Sequence, residues 1–321
     1  GKTTVAKLAF SEKPYTNLED PVTREFAQTD PNGFLQQYPS GAIIDEIQRV
    51  PELLSYIQVI VDEKKQNGIY ILTGSHQFEL RNHINQSLAG RTAILRLLPF
   101  TLTEIKKFGN LTTDEIMHKG FYPRIYDQKI PPSQAYGDYF ETYIERDLRQ
   151  IINIKDLSTF QRFVKLCAGR IGQLVNLNNL ANDTGISQPT AKEWLSILEN
   201  SFIIFRLEPY HTNIKKRLVK SPKLYFYDVG LAAWLCGIEE TSHISNHPLR
   251  GNFFENMIIA EVLKYRYNSG RRNNLNFYRD SISNKVDLLY NIANHLIPIE
   301  IKSGLTISQN LLIGLKKLEY V

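Results

Sequence analysis

The stretch Ala42-Ile43-Ile44-Asp45-Glu46-Ile47-Gln48 constrains the fold of this chain most. A short, unbroken apolar run ending in two carboxylates, entered through Pro39-Ser40-Gly41, predicts a strand buried on both faces. Such strands belong to parallel sheets covered by helices, and polar groups at their carboxyl tips lie where open α/β sheets hold ligands. Upstream, Gly1-Lys2-Thr3-Thr4 runs into Val5-Ala6-Lys7-Leu8-Ala9. This is the back half of a G-x-x-x-x-G-K-[ST] loop opening a helix, whose backbone N–H groups cradle phosphates. Gly1, Lys2, Thr3 and Thr4 are therefore candidate nucleotide-binding residues. Lys2 would reach the β- and γ-phosphates, and the Thr3 hydroxyl would ligate Mg2+. Asp45 would join the Mg2+ shell, and Glu46 would act as general base on the attacking water. Two surface acids capping a strand are the plainer alternative.

A helix is predicted from Pro51 to Gln66, with Leu53, Leu54, Ile57, Ile60 and Val61 at helical spacing. A strand over Ile69–Leu72 follows, tipped by Thr73-Gly74-Ser75. Thr73 and Ser75 either sense the γ-phosphate or cap the strand. The Ser87–Thr92 segment leads into a strand-like run, Ala93–Leu98. Arg91, beside the flexible Gly90, either contacts phosphate or anchors a surface carboxylate.

The segments Tyr15–Pro21, Ala27–Pro31, Asp45–Pro51, Leu72–Ser75 and Ser87–Arg91 together resemble a large prokaryotic family. Its members are AAA-superfamily ATP-binding proteins with a C-terminal domain of unknown function. The resemblance continues through Leu98–Phe100, Gly120–Pro123 and Tyr143–Asp147, nearly the whole chain. It implies ATP binding and ATP hydrolysis. Against that family, the front half of the phosphate loop and the strand before it are missing here. Sequence is expected to be missing at both ends, with weak or no nucleotide binding by the chain as written.

Further along, Leu174–Leu195 has helix-turn-helix logic. Leu180 and Ala181 lie on a first helix, Gly185 supplies a left-handed turn, and Ser187 caps a second helix with Ala191, Leu195 and Leu198 inward. The β-rich runs Phe202–Leu207 and Lys223–Tyr227 would form a wing. Lys215, Lys216, Arg217, Lys220 and Lys223 make a basic cluster there, suited to DNA phosphates or, alternatively, to a subunit contact. In the last third, Asn252–Leu263 reads as a helix, Asn276–Arg279 and Lys285–Tyr290 as strands, and Leu296–Lys302 as a strand carrying Glu300 and Lys302 on one face. An antiparallel neighbour would bring Asp287 alongside. Asp287 and Glu300 as metal ligands, Lys302 activating water, and Glu255 from the helix resemble the restriction-endonuclease-like arrangement. A structural ion network is the alternative.

The expected fold is α/β multidomain. It comprises a P-loop AAA-type ATPase core over 1–100, a helical lid or bridge over 101–155, a winged helix over 156–240 and a restriction-endonuclease-like domain over 241–321. The 321 residues are 42% hydrophobic and 22% charged with net charge +5, which excludes a disordered chain. Two cysteines, Cys167 and Cys236, exclude a disulfide scaffold and fit a cytoplasmic location. No apolar run approaches the ~20 residues of a membrane helix. The functional expectation is a nucleotide-dependent switch or remodeller using ATP and Mg2+, coupled to nucleic acid, with an oligomer as one option. The alternatives are a Mg2+-dependent DNA nuclease gated by ATP, and a non-catalytic DNA- or protein-binding module with a vestigial ATP site.

Overall fold

A computed structural model describes residues 1–74, 88–142, 156–210, 221–279, 284–292 and 295–304. The chain divides into two units, Gly1–Leu95 and Arg96–Val321. Ser75, Lys215, Lys216, Arg217, Lys220 and the Tyr143–Asp147 segment lie outside the described residues.

The first unit runs α1 (Lys2–Ala9), β1 (Tyr15–Asn17), α2 (Pro21–Thr29), α3 (Pro31–Gln36), β2 (Ile43–Asp45), α4 (Leu53–Lys64) and β3 (Ile71–Leu72). Among the described residues its strands form a parallel sheet in the order β1-β2-β3. β2 lies in the middle and every one of its residues is buried, so its apolar run is unbroken. Asp20 and Asp30 cap α2 and α3 by accepting from the backbone N–H of Thr23 and Gly33, and Pro21 and Pro31 open those helices. Phe34, Leu35, Ile47, Leu53 and Leu54 pack with Ile44 in one core. The strand expected over Ala93–Leu98 does not form. Ile94 and Leu95 are 55% and 81% exposed, so the apolar run has no sheet to join.

The second unit begins with α5 (Leu102–Ile105), α6 (Thr113–Lys119), α7 (Pro123–Asp127) and α8 (Pro132–Tyr139), followed by α9 (Leu157–Ala168), α10 (Leu177–Thr184) and α11 (Gln188–Asn200). Gly185 turns α10 into α11 at φ 83°, where a Cβ would be strained, and Ser187 caps α11 by accepting from Thr190 N–H. Leu180, Ala181, Ala191, Leu195 and Leu198 are buried in one core with Phe121 and Tyr136. The segment read as a bridge and the helix-turn-helix therefore share their interior.

The rest of the unit is β4 (Ile204–Pro209), β5 (Lys223–Phe226), α12 (Val229–Leu235), α13 (Thr241–Ser245), α14 (Arg250–Asn268), β6 (Leu275–Arg279), β7 (Lys285–Ile292) and β8 (His295–Ile299). Among the described residues the strands form one sheet, ordered β5-β4-β6-β7-β8. β4 pairs antiparallel with β5 and parallel with β6. The hairpin read as a wing is thus continuous with the C-terminal strands rather than separate from them. Ile259, Ala260 and Leu263 of α14 pack on the sheet residues Phe205, Tyr225, Phe277 and Leu288. β8 ends at Ile299, and Glu300–Lys302 continue beyond it without ladder pairing.

A charged network lies in the core of this unit. Asp228 accepts hydrogen bonds from Phe121 N–H (2.6 Å), the Tyr136 hydroxyl (2.7 Å) and Leu231 N–H (2.8 Å), the last capping α12. Lys264, 1% exposed, donates to the Phe100 carbonyl (2.6 Å) and stands 3.5 Å over the Phe121 ring. Glu261 accepts from Leu102 N–H (2.9 Å). Burial pushes the Lys264 ammonium down to about 8 against the pull of Asp228 and Glu261. The same desolvation raises Asp228, outweighing its hydrogen bonds from Tyr136 and Leu231.

Candidate nucleotide site

In the first unit, the loop at Gly1 and the strand ends of β2 and β3 bring four sequence-predicted residues together. The Lys2 ammonium donates to the Gly74 carbonyl at the tip of β3. The Thr3 hydroxyl donates to Asp45 Oδ2 at 2.8 Å, and the Thr73 hydroxyl to Asp45 Oδ1. Parallel register explains the meeting: Ile44 lies beside Leu72, so Asp45 and Thr73 follow on neighbouring strands at one edge of the sheet. Thr73 N–H also donates to the Ile44 carbonyl at 3.0 Å.

Tyr15 completes the set, and sequence reasoning missed it. Its hydroxyl donates to Asp45 Oδ2 at 3.0 Å. Burial alone would raise the Asp45 pKa, but hydrogen bonds from Thr73, Thr3 and Tyr15 overcome it and hold the carboxyl below its usual value. Burial and the adjacent Asp45 push the Tyr15 phenol up to about 12. Desolvation lowers the Lys2 pKa, with Glu46 and Asp45 pulling the other way.

Glu46 adopts a left-handed backbone conformation (φ 56°, ψ 43°), uncommon for a residue with a Cβ and typical of strained functional sites. Gln48 Nε2 donates to its carboxylate. Arg91 is placed elsewhere: its guanidinium holds Asp62 and the Ala89 carbonyl, the carboxylate-anchoring alternative rather than a phosphate contact. Gly1 and Thr4 make no side-chain contribution to the cluster.

An aspartate and a threonine hydroxyl side by side are hard oxygen donors. Mg2+ is commonly held by one or two carboxylates together with substrate phosphates, and this donor set fits that pattern. Among the described residues, no group of three or more His, Cys, Asp and Glu gathers as a cage for another metal.

The C-terminal candidates engage one another through Lys302 and, by way of Tyr225, through Glu255. Asp287 lies on β7 and Glu300 just past the end of β8, one residue beyond the last pair, Leu288–Ile299. Lys302 bridges them: its ammonium donates to Asp287 Oδ2 (3.0 Å) and to Glu300 Oε1. Asp287, 3% exposed, also accepts from Ile301 N–H at 3.0 Å. Desolvation works against the Lys302 ammonium, but Glu300 and Asp287 outweigh it and raise its pKa. Glu255 accepts from Lys223 (2.9 Å) and from the Tyr225 hydroxyl, a phenol whose pKa is raised by burial, by Glu255 and also by the charge of Asp287. Lys223 therefore does not serve a basic phosphate-binding surface, because its ammonium is buried against Glu255 and above the Phe277 ring. Between Asp287 and Glu300, the place a metal ion would take holds the Lys302 ammonium, so this set does not fit a metal as arranged.

Residues 1–106 match an AAA domain. Residues 110–242 and 250–320 match two domains of unknown function, DUF8612 and DUF4143 respectively. The chain is 28% identical over 306 residues to uncharacterized proteins of Mycobacterium tuberculosis and Mycobacterium bovis, covering 94% of this chain and 68% of each relative. A third uncharacterized protein, from Haemophilus influenzae, is 22% identical over 240 residues, covering 70% of this chain and 58% of the relative. No solved structure matches. These matches support an AAA-superfamily protein with a P-loop-like core and a C-terminal domain of unknown function. Among the described residues, no helix is long and apolar enough to cross a membrane.

Proposed function

We propose that the full-length protein binds and hydrolyses ATP with Mg2+ and uses that cycle as a switch or remodelling step coupled to nucleic acid. The observation that carries the reading is the Thr3–Asp45 hydrogen bond at 2.8 Å, with Lys2 at the tip of the neighbouring strand. The AAA match over 1–106 supports the same nucleotide. Thr3 and Asp45 would hold Mg2+, which when bound neutralises charge on the phosphate oxygens. Lys2 binds phosphate by exchanging the Gly74 carbonyl for a charged acceptor, and the helix start at α1 offers backbone N–H groups to the same anion. Glu46, turned by its left-handed backbone, accepts the proton of the attacking water.

In the full-length protein, Lys2→Ala weakens ATP binding, and Glu46→Gln keeps binding but stops turnover. Hydrolysis at the parent rate by Glu46→Gln refutes the assignment of the base. The nucleic-acid half of the reading is supported by the capped helix pair α10–α11 and by the Lys215–Lys220 run in the sequence. If that run contacts phosphate, replacing Lys215, Lys216 and Arg217 by Ala flattens the salt dependence of DNA binding by up to about 3 units of slope.

A second reading, a metal-dependent nuclease, has one observation in its favour. Glu300 Oε2 is buried with no hydrogen-bond partner among the described residues, beside Asp287. Lys302, seated between the two carboxylates, counts against it. Metal-dependent cleavage of plasmid DNA, abolished by Glu300→Ala, would establish it.

A further inference from the structure

Asp45 is held by three hydroxyl groups, and two of them follow from position alone. Thr3 belongs to the phosphate-loop segment and Thr73 to the neighbouring strand end. Tyr15 has no such reason to be there. It lies on β1, where Tyr15 pairs with Ile43 and Asn17 with Asp45, and its phenol reaches diagonally along the sheet face to Asp45 Oδ2. The ring is itself braced: the Lys7 ammonium of α1 stands 3.4 Å over its centroid, a cation–π contact that fixes where the hydroxyl points.

Resting on the reading of the first unit as a Mg2+–nucleotide site, we infer that Tyr15 is a positioning residue that orients the Asp45 carboxylate toward the cation. A carboxylate turns freely about Cβ–Cγ unless its oxygens are tied. Thr73 ties Oδ1, while Oδ2 is shared by Thr3 and Tyr15. A Thr3 hydroxyl that held a cation through an oxygen lone pair would still have its proton for Asp45, but it would have to meet the cation's geometry as well as that of Oδ2. Tyr15 is the anchor of Oδ2 with no such second duty, so its hydroxyl would fix the plane of the carboxylate whatever Thr3 does. Outer-shell partners of this kind set ligand orientation, and their loss typically costs metal affinity about 10-fold or more. Lys7 acts one step further out, through the ring.

The test is ATP binding to the full-length protein by calorimetry, first in EDTA and then at rising Mg2+ concentration. Tyr15→Phe keeps the ring and the Lys7 contact and removes only the hydroxyl. The expected result is unchanged affinity for metal-free ATP, with the Mg2+ concentration for half-maximal effect raised about 10-fold. Lys7→Met, which keeps the hydroxyl but frees the ring, shifts the half-point in the same direction and by less. An unchanged Mg2+ half-point in Tyr15→Phe overturns the inference. Equal loss of affinity with and without Mg2+ overturns it too, since that is what a purely structural role produces. A parent protein that binds ATP in neither condition refutes the nucleotide-site reading itself, an outcome distinct from the other two.

Discussion

Replacing Asp228 by Ala tests the charged network of the second unit where it is most connected. The carboxylate, 1% exposed, caps α12 through Leu231 N–H, receives Phe121 N–H and faces the buried Lys264. Loss of the cap costs about 1 kcal/mol. Phe121 N–H, buried and left without an acceptor, adds about 1–3 kcal/mol. The Tyr136 hydroxyl contributes less to the loss, because its single proton can turn to the Lys119 carbonyl, 2.9 Å away, once Asp228 is gone. Lys264 keeps Glu261 at 3.9 Å and loses only the longer-range attraction of Asp228, so with the orphaned donor at the upper end of its range the total comes to about 4 kcal/mol. Both tryptophans of the chain, Trp194 and Trp234, lie in this unit, so tryptophan fluorescence follows its unfolding alone. With an m-value of about 3 kcal/mol per M of urea, the midpoint falls by about 1.3 M. Asp228→Asn, which retains one acceptor oxygen, falls by less and guards against an Ala variant that does not fold. A midpoint within about 0.3 M of the parent for Asp228→Ala refutes the reasoning, because that is below about 1 kcal/mol.

Two further outcomes use the same fluorescence. Lys264 titrates near 10.5 when unfolded and near about 8 when folded, so between these values the unfolded chain binds more protons and stability rises with pH. The gain from pH 8 to 10 is about 2–3 kcal/mol, and Lys264→Met removes that slope; an identical pH profile in the variant rejects the lysine as its source. Ser187→Ala, which deletes the cap of α11, lowers stability by about 1 kcal/mol, and a change indistinguishable from zero shows that the cap is redundant.

The site was legible where chemistry is local and hidden where it depends on register. The Ala42–Glu46 run announces itself because a strand buried on both faces must be apolar throughout, and acids at its tip need a reason. The α10–Gly185–α11 turn was equally readable, from one glycine and one capping serine. Tyr15 was not, since its partner lies 30 residues away and strand pairing is decided by the whole sheet. Lys223 misled for a related reason. In sequence it extends a run of cations, yet β5 turns it toward α14, where Glu255 takes it. The Ala93–Leu98 run shows the opposite error: a short apolar run without a neighbouring strand is only a pattern.

The parallel pairing of β4 with β6 has a consequence for how such chains can be assembled from parts. Glu208 lies beside Asn276 and Pro209 beside Phe277, so the ladder closes only after α12, α13 and α14 have been made. The junction between the two family matches, from 242 to 250, falls within that loop. Exchange of the C-terminal segment between homologues as a cassette would take two neighbouring strands from different parents. The incoming β6 would still pair its backbone with β4, but the side chains that pack across the junction, Phe205 and Leu207 against Phe277 and Leu288, would come from two different sequences and fit each other poorly. Recombination is therefore expected to succeed when the crossover lies upstream of β4 and to fail when it lies between β5 and β6.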